Sequence, residues 1–365
     1  MLFETLDRSA HEQVLFCHDR QAKLKAIIAI HNTILGPALG GVRIRPYASA
    51  EHALRDALRL SRTMTYKNAL AGLNFGGGKA VVIADPKAEK TEVLLRALGR
   101  HIQTLGGRYI AAEDMGTDVA DMEQIYLETA HVVGVHQVHG GSGDPAPFSA
   151  YGALQGLMTA AERVLGHNEL SKLTVAVQGL GHTGMELVRL LDERGAQLHV
   201  TDTDAARVQR AVEKYDCHVV DPEAIFEVPA DVFVPCAMEG TINHQTLERL
   251  KVKLICGTAN NQLSCHAVGD ELFRRGIVWV PDYAVNAGGV MNVSLEIDGY
   301  NRERALRLIR GIRHTINRLF DLSEKEGISP QRAADRLAEA RIEAIGNMGM
   351  RLCQRPARDR RIHGE

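Results

Sequence analysis

Apolar positions along the chain fall into two kinds of run. Short, unbroken stretches of aliphatic residues, LKAIIAI from Leu24, AVVIA from Ala80 and RYIAA from Arg108, predict buried strands. Between them, AEHALRDALRLSRTM from Ala50 and EVLLRALGRHIQTL from Glu92 carry Leu and Ile at three- and four-residue steps, the helical period. Ser49 and Thr91 stand where N-caps belong, and Gly106 where the second helix should stop. Strands alternating with amphipathic helices predict parallel α/β layers rather than a sandwich or a bundle.

The rhythm breaks at HGGSGDPAPFS, His139 to Ser149, a glycine-rich stretch that reads as a hinge and domain boundary. A helix from about Tyr151 to Leu165 follows. Alternation then restarts with KLTVAVQG, AQLHVTD, DVFVPCA, KLICGTA and GIVWVPD, which predict a second parallel sheet. One long basic helix is expected from Asn301 to Lys325, stopping at Gly327, and Ser329 with Pro330 starts a last one. The basic run from Gln354 to the end reads as a solvated terminus.

Composition narrows the function classes. The chain has 365 residues, and 43 Lys and Arg against 45 Asp and Glu leave a net charge of -2, so there is no basic excess to displace counterions from nucleic acid. No apolar run approaches the roughly 18 residues of a membrane span, and Met1 to Ala10 lacks the apolar core of a signal peptide. Cys17, Cys217, Cys236, Cys256, Cys265 and Cys353 are scattered without metal-site spacing, as thiols in a reducing compartment are. HQVH, His136 to His139, has no third ligand at metal spacing and reads as a surface loop, so no metal is expected. A cytoplasmic protein working on small molecules is the expectation.

The sharpest local signal is VAVQGLGHTGMELVRLLDERGAQLHVTD, Val175 to Asp202. Gly179, Gly181 and Gly184 form G-x-G-x-x-G directly after a strand and before a helix, the context of a dinucleotide site. Gly179 makes the tight turn, Gly181 admits a pyrophosphate to the backbone, and Gly184 lets helix and strand approach. Leu180, His182 and Thr183 complete the phosphate-facing turn, whose free N–H groups and positive helix end suit an anion. Asp202 ends the next strand at roughly the 20-residue offset of an acid that accepts the adenosine ribose hydroxyls. Its charge favours NAD over NADP, and Arg207 nearby keeps the second open. The fold expected for this half is Rossmann-type and doubly wound.

The other informative stretch is MTYKNALAGLNFGGGKAVVIADP, with Lys67 closing a helical pattern and Lys79 opening an apolar strand after Gly76, Gly77 and Gly78. At these residues, with GPALGGVR from Gly36, GRYIAAEDMGT, VQGLGHTG, TANNQL and VNAGGVMNV, the chain resembles the Glu/Leu/Phe/Val dehydrogenase family over nearly its whole length, nearest to the leucine-acting branch. The resemblance implies reversible, NAD-dependent oxidative deamination of an L-amino acid to a 2-oxo acid and ammonia, in a cleft between two domains. It implies a substrate-binding and oligomerisation domain of residues 1–145 with about 328–365, and a nucleotide domain of residues 146–327. A dimer or octamer follows from it, with contacts through the first domain.

Carried over by motif, Lys67 holds the substrate carboxylate, Lys79 is the general base, and Asp114 exchanges protons with amine and water; Asp114 also suits a plain helix N-terminal acid. A lysine base near neutral pH needs its proton affinity lowered from about 10.4 to about 7 or 8, which burial and a neighbouring cation achieve. Asn260 faces cofactor and substrate with Asn261 beside it, Asn286 meets the nicotinamide side, and Ser149 contacts the carboxamide where the family more often has Thr. Gly184 likewise replaces a common Ala. Leu39, Gly40, Met64, Ala112, Val290 and Val293 line the implied side-chain pocket. All are small or apolar, which disfavours glutamate because a buried carboxylate needs a cation. A branched-chain substrate is expected, leucine first and then valine and isoleucine, since a methylene is worth only about 1 to 3 kcal/mol. Activity toward valine or phenylalanine in first place is the alternative within the class, and a non-catalytic NAD-binding regulator the alternative outside it.

Overall fold

The computed structural model describes residue 6 and residues 10–348, which leaves Cys353, the basic C-terminal run and most of Met1 to Ala10 outside the described residues. The first half consists of β1 (Gln13–Asp19), β2 (Leu24–Asn32), β3 (Ala38–Arg45), α1 (Ala50–Leu70), β4 (Gly76–Ile83), α2 (Glu92–Thr104), β5 (Tyr109–Glu113) and α3 (Val119–Tyr126). Its five strands lie in the order β1-β2-β4-β3-β5. Ser49 and Thr91 cap α1 and α2 by accepting from the N–H groups of His52 and Leu94.

This sheet is mixed rather than parallel throughout. β3 runs parallel to β4 and β5, whereas β2 is antiparallel to both β1 and β4. The cause is connection length. Asp19 Oδ1 accepts from the N–H groups of Gln21 and Ala22 in a short turn with Lys23 at φ 54°, and a tight turn can only return the chain antiparallel. The helical crossovers α1 and α2 give the parallel pairs. Alternate residues of β2 serve opposite faces: Ile28 and Ile30 join Leu94, Leu98 and Ile102 of α2, while Ile27 and Ala29 pack on Ala53, Ala57 and Leu58 of α1.

The second half opens with α4 (Ala146–Leu165), then β6 (Thr174–Gln178), α5 (His182–Asp192), β7 (Gln197–Thr201), α6 (Ala205–Lys214), β8 (Cys217–Val219), β9 (Val232–Pro235), β10 (Leu254–Ile255), α7 (His266–Arg274), β11 (Val278–Trp279), α8 (Gly288–Ser294), α9 (Arg302–Arg310), α10 (Ile312–Glu326) and α11 (Pro330–Gly346). Its strands are all parallel, in the order β11-β10-β9-β6-β7-β8. Strand order reverses between β6 and β9, the switch point at which doubly wound sheets bind nucleotides. The long helix expected from Asn301 to Lys325 is two helices parted at Gly311, whose backbone freedom costs a helix about 1 kcal/mol relative to Ala.

Between the halves the glycine-rich segment is pinned rather than loose. The buried Glu296 carboxylate accepts from the backbone N–H groups of Gly134 and Ser142, each at 2.9 Å, and from Ser142 Oγ at 2.5 Å. Residues His131 and Val133 bond to Ala111 and extend the edge of β5 toward this segment. The last helix, α11, packs against both α1 and α10, with Ala333, Ala334 and Ala338 in the large core of the second half. Among the described residues no helix is long and apolar enough to cross a membrane.

Candidate active site

At the nucleotide end, Gly179 has φ 101°, and a Cβ there would meet Ala237 at 2.7 Å. A Cβ on Gly184 would lie 2.1 Å from the Gly179 carbonyl oxygen, so this glycine sets how closely α5 approaches the turn. Around Gly181 nothing lies within 4 Å of that position, which leaves open space at the N-terminus of α5, where His182 and Thr183 begin the helix. Asp202 Oδ2 accepts from the Leu180 N–H at 2.7 Å, and Oδ1 from the Asp204 N–H at 2.8 Å. The acid is thus fixed beside the glycine turn. A cavity of about 550 Å³ adjoins it, lined by Asp202, Thr203, Val208, Val220 and Pro222 among others. Arg207 is engaged by two acids, Asp202 at 3.6 Å and Asp204 at 3.4 Å.

The reactive groups come from different elements. Lys67 stands in the last turn of α1, Lys79 in β4, and Asp114 directly after β5. Lys79 Nζ lies 2.7 Å from Asp114 Oδ2, and the same oxygen accepts from Arg43 Nε of β3 at 2.8 Å. Lys67 and Lys79 are both buried. Burial pushes the Lys67 ammonium down to about 8, against the pull of the Asp282 carboxylate and helped by the Lys79 charge. Burial also pushes Lys79 below the ordinary lysine value, with Asp114 opposing and Arg43 reinforcing the push. For Asp114, burial works upward, and the Lys79 and Arg43 charges outweigh it and hold the carboxyl well below the usual carboxylate range.

The glycines around this pair are places of close approach. A Cβ on Gly41 would meet Asp114 Cβ at 2.7 Å and Lys79 Nζ at 3.0 Å, and one on Gly77 would meet the Thr65 backbone nitrogen at 2.1 Å. Gly76 to Gly78 therefore form part of β4 rather than a turn before it, because only a bare strand fits between α1 and the Tyr109 ring. Asn68 ties α1 to both strands by donating to the carbonyl oxygens of Leu39 and Gly76.

The second half closes over these groups. Asn260 Oδ1 accepts from Lys67 Nζ at 3.5 Å and from Asn286 Nδ2 at 2.8 Å. Asn261 takes the left-handed conformation, φ 52°, and its Nδ2 is buried without a hydrogen-bond partner, as is Asn286 Oδ1. An unpartnered buried donor and acceptor match the needs of a carboxamide, and with the bare backbone at Gly181 they fit a nicotinamide dinucleotide. Ser149, in the first turns of α4, abuts Gly289 of α8, where a Cβ would come within 2.5 Å of its Oγ. Leu39, Ala112 and Val293 gather with Ile110 and Val133 in one apolar cluster that Val290 and Phe75 border, while Met64 faces Gly40. His136 and His139 sit on an exposed loop, where His136 accepts from the Val138 N–H.

Sequence reasoning missed Arg43, Asp56, Glu239 and Asp282. Arg43 carried a signal, as a cation between Val42 and Ile44 in the strand ALGGVRIR, which is apolar up to that point; the others are ordinary acids by sequence.

Comparison with known proteins agrees with this geometry. Residues 11–131 match the model of the Glu/Leu/Phe/Val dehydrogenase dimerisation domain, and residues 198–343 that of Glutamate/Leucine/Phenylalanine/Valine dehydrogenase. The chain is 51% identical to leucine dehydrogenase of Bacillus subtilis, with 94% of each chain covered. It is 47% identical to phenylalanine dehydrogenase of Caldalkalibacillus thermarum, with 92% of each covered. Among solved structures, L-tryptophan dehydrogenase from Nostoc punctiforme superposes with a TM-score of 0.79 at 42% identity, over 94% of this chain and 99% of that one. The chain belongs to the Glu/Leu/Phe/Val dehydrogenase family and is a pyridine-nucleotide-dependent amino-acid dehydrogenase.

Proposed function

We propose that the chain catalyses the NAD-dependent, reversible oxidative deamination of branched-chain L-amino acids, leucine first, then valine and isoleucine. The observation that carries this reading is the buried Lys79–Asp114 pair, 2.7 Å apart, set near Lys67 and an apolar cluster that offers no cation to a side-chain carboxylate. Leu39, Gly40, Met64, Ala112, Val290 and Val293 receive the substrate side chain, and Lys67 pairs with its α-carboxylate. That carboxylate supplies the counter-charge that keeps Lys67 protonated despite burial. Asn260 limits where the carboxylate can lie.

Bound NAD would supply the acceptor for the hydride of the substrate Cα–H, so that the substrate becomes an imine. Lys79 then takes a proton from water as the oxygen adds to the imine carbon. Asp114 keeps Lys79 oriented and exchanges protons with the nitrogen, so that ammonia leaves and the 2-oxo acid forms. Amino acid, NAD⁺ and water thus give oxo acid, NADH, ammonium and a proton. Closure over the site keeps bulk water from competing.

Gly179, Leu180, Gly181, His182, Thr183 and Gly184 cradle the pyrophosphate, and Asp202 accepts the ribose hydroxyls. NAD is favoured over NADP because Asp202 would repel a 2′-phosphate and the neighbouring Arg207 is already engaged by Asp202 and Asp204. Asn261, Asn286 and Ser149 satisfy the carboxamide. Residues 1–145 with about 328–365 form the substrate and oligomerisation domain, and 146–327 the nucleotide domain. The enzyme works in the cytoplasm as a homo-oligomer, a dimer or an octamer. Phenylalanine is the second reading, supported by the 47% identity to a phenylalanine dehydrogenase.

A panel of L-amino acids assayed at the NADH absorbance band with NAD and NADP tests the proposal. Turnover of leucine, valine and isoleucine with NAD is the expected result. Preference for phenylalanine, or for NADP, would overturn the corresponding part.

A further inference from the structure

Arg43 is the most enclosed cation near the reactive pair, 2% exposed, and its guanidinium is shared among three acids. Nε donates to Asp114 Oδ2 at 2.8 Å, the oxygen that also receives Lys79. Nη1 lies 3.3 Å from Asp56 Oδ2 of α1 and 3.7 Å from Glu239. Asp56 is held in turn by the Tyr47 hydroxyl at 2.7 Å and by Arg59 at 2.8 Å, and Arg59 reaches Glu239 at 2.7 Å. Glu239 does not belong to this half of the molecule. It follows β9, in the loop whose Ala237 packs against Gly179 of the nucleotide turn.

A carboxylate bonded to lysine alone can rotate and present either oxygen. One whose Oδ2 is also bonded to the Nε of a rigid guanidinium, itself anchored on Asp56, keeps that oxygen turned toward Lys79. We propose that Arg43 is a positioning residue for the reaction, fixing the Asp114 carboxylate against Lys79, and that Glu239 extends this chain of charges to the nucleotide-binding half. The inference rests on the deamination reading above. Enclosed at 2% exposure and paired with Asp114, Arg43 acts through that carboxylate rather than on the reacting atoms.

The charges set the sign of the consequence. Lys79 is faced by Asp114 at the end of β5, by Arg43 from β3, and by Asp56 and Lys67 from α1; Arg43 is faced by Asp114, Asp56 and Glu239. Arg43 is a permanent cation beside Lys79 and favours its neutral form. Losing that charge makes Lys79 hold its proton to higher pH. Replacing arginine by lysine keeps the charge but loses the fork, since one ammonium cannot hold both acids in one plane.

The test compares wild type, Arg43→Lys and Arg43→Gln in the full-length protein. Measured for each are the pH profile of kcat/KM for L-leucine with NAD, kcat itself, NADH binding by fluorescence titration, and Tm. In Arg43→Gln the acidic limb of the profile should move up by about one pH unit, with NADH binding within about twofold of wild type. In Arg43→Lys the limb should stay while kcat falls about fivefold or more. An unmoved limb in Arg43→Gln, or wild-type kcat in Arg43→Lys, would overturn the proposal. So would parallel loss of NADH binding in both variants, which marks a purely structural residue. Should Arg43→Gln fail to fold, the kcat of Arg43→Lys decides alone. Failure of the underlying reading is separable, because it appears as wild-type protein inert toward branched-chain amino acids.

Discussion

Two lysines only a strand and a helix apart have different tasks because their neighbours differ. Lys79 shares a carboxylate with a guanidinium, whereas Lys67 faces the cleft, with Asn260 Oδ1 at 3.5 Å as its hydrogen-bond partner. Lys79→Ala should therefore lower deamination by at least about a thousandfold with NADH binding intact, a split read by turnover and fluorescence titration. Lys67→Ala should act first on the amino acid, raising its KM by about tenfold or more while nucleotide affinity holds. An unchanged KM would remove Lys67 from carboxylate binding. Since Lys79 must be neutral to accept a proton, log kcat/KM for deamination should rise with pH until the lysine has lost its own. Asp202→Ser removes the charge that would repel a 2′-phosphate and frees Arg207 from one of its two acids, so the ratio of kcat/KM for NAD to that for NADP should fall.

At the scale of elements, bare backbone does the arranging. β3 and β4 meet at Gly40 and Gly78 with no room for a side chain: a Cβ on Gly40 would lie 1.7 Å from the Gly78 carbonyl oxygen. Gly40→Ala should cost about 2 kcal/mol or more in chemical denaturation, as the strands carrying Arg43 and Lys79 are forced apart. β2 and α1 are tied by His31 Nδ1 and Thr65 Oγ1 at 2.8 Å, and burial pushes His31 down to about 3, helped by the His11 and Arg62 charges. The unfolded chain binds this proton below about 6.5, whereas the fold resists it until about 3, so stability falls as pH drops through that window. The loss of Tm between pH 7 and pH 5 should be smaller in His31→Asn than in wild type. The crossover helices and their caps were legible because they obey local rules; the antiparallel β1–β2 hairpin was not, since its turn at Asp19 to Lys23 has no glycine or proline to mark it.

For the whole molecule, the two sheets enclose the site from opposite sides, with Asn260 meeting Lys67 and Val293 meeting Leu39 across the cleft. Light scattering should give a solution mass of two or eight times the chain mass; a monomer would overturn the proposed assembly. Sequence alone determined what local chemistry encodes. A glycine fingerprint between strand and helix, an acid at the end of the next strand, capping residues and helical periodicity each act over a few neighbouring residues, so their spacing along the chain carries their meaning. Only the tertiary structure decided which charges meet. Arg43 and Lys79 come from two strands, Asp114 from the turn directly after a third, and Glu239 from the other half of the chain. Which oxygen each reaches depends on register, burial and the missing side chains of the glycines between them, and distances across a sheet are not written in the spacing of residues along it.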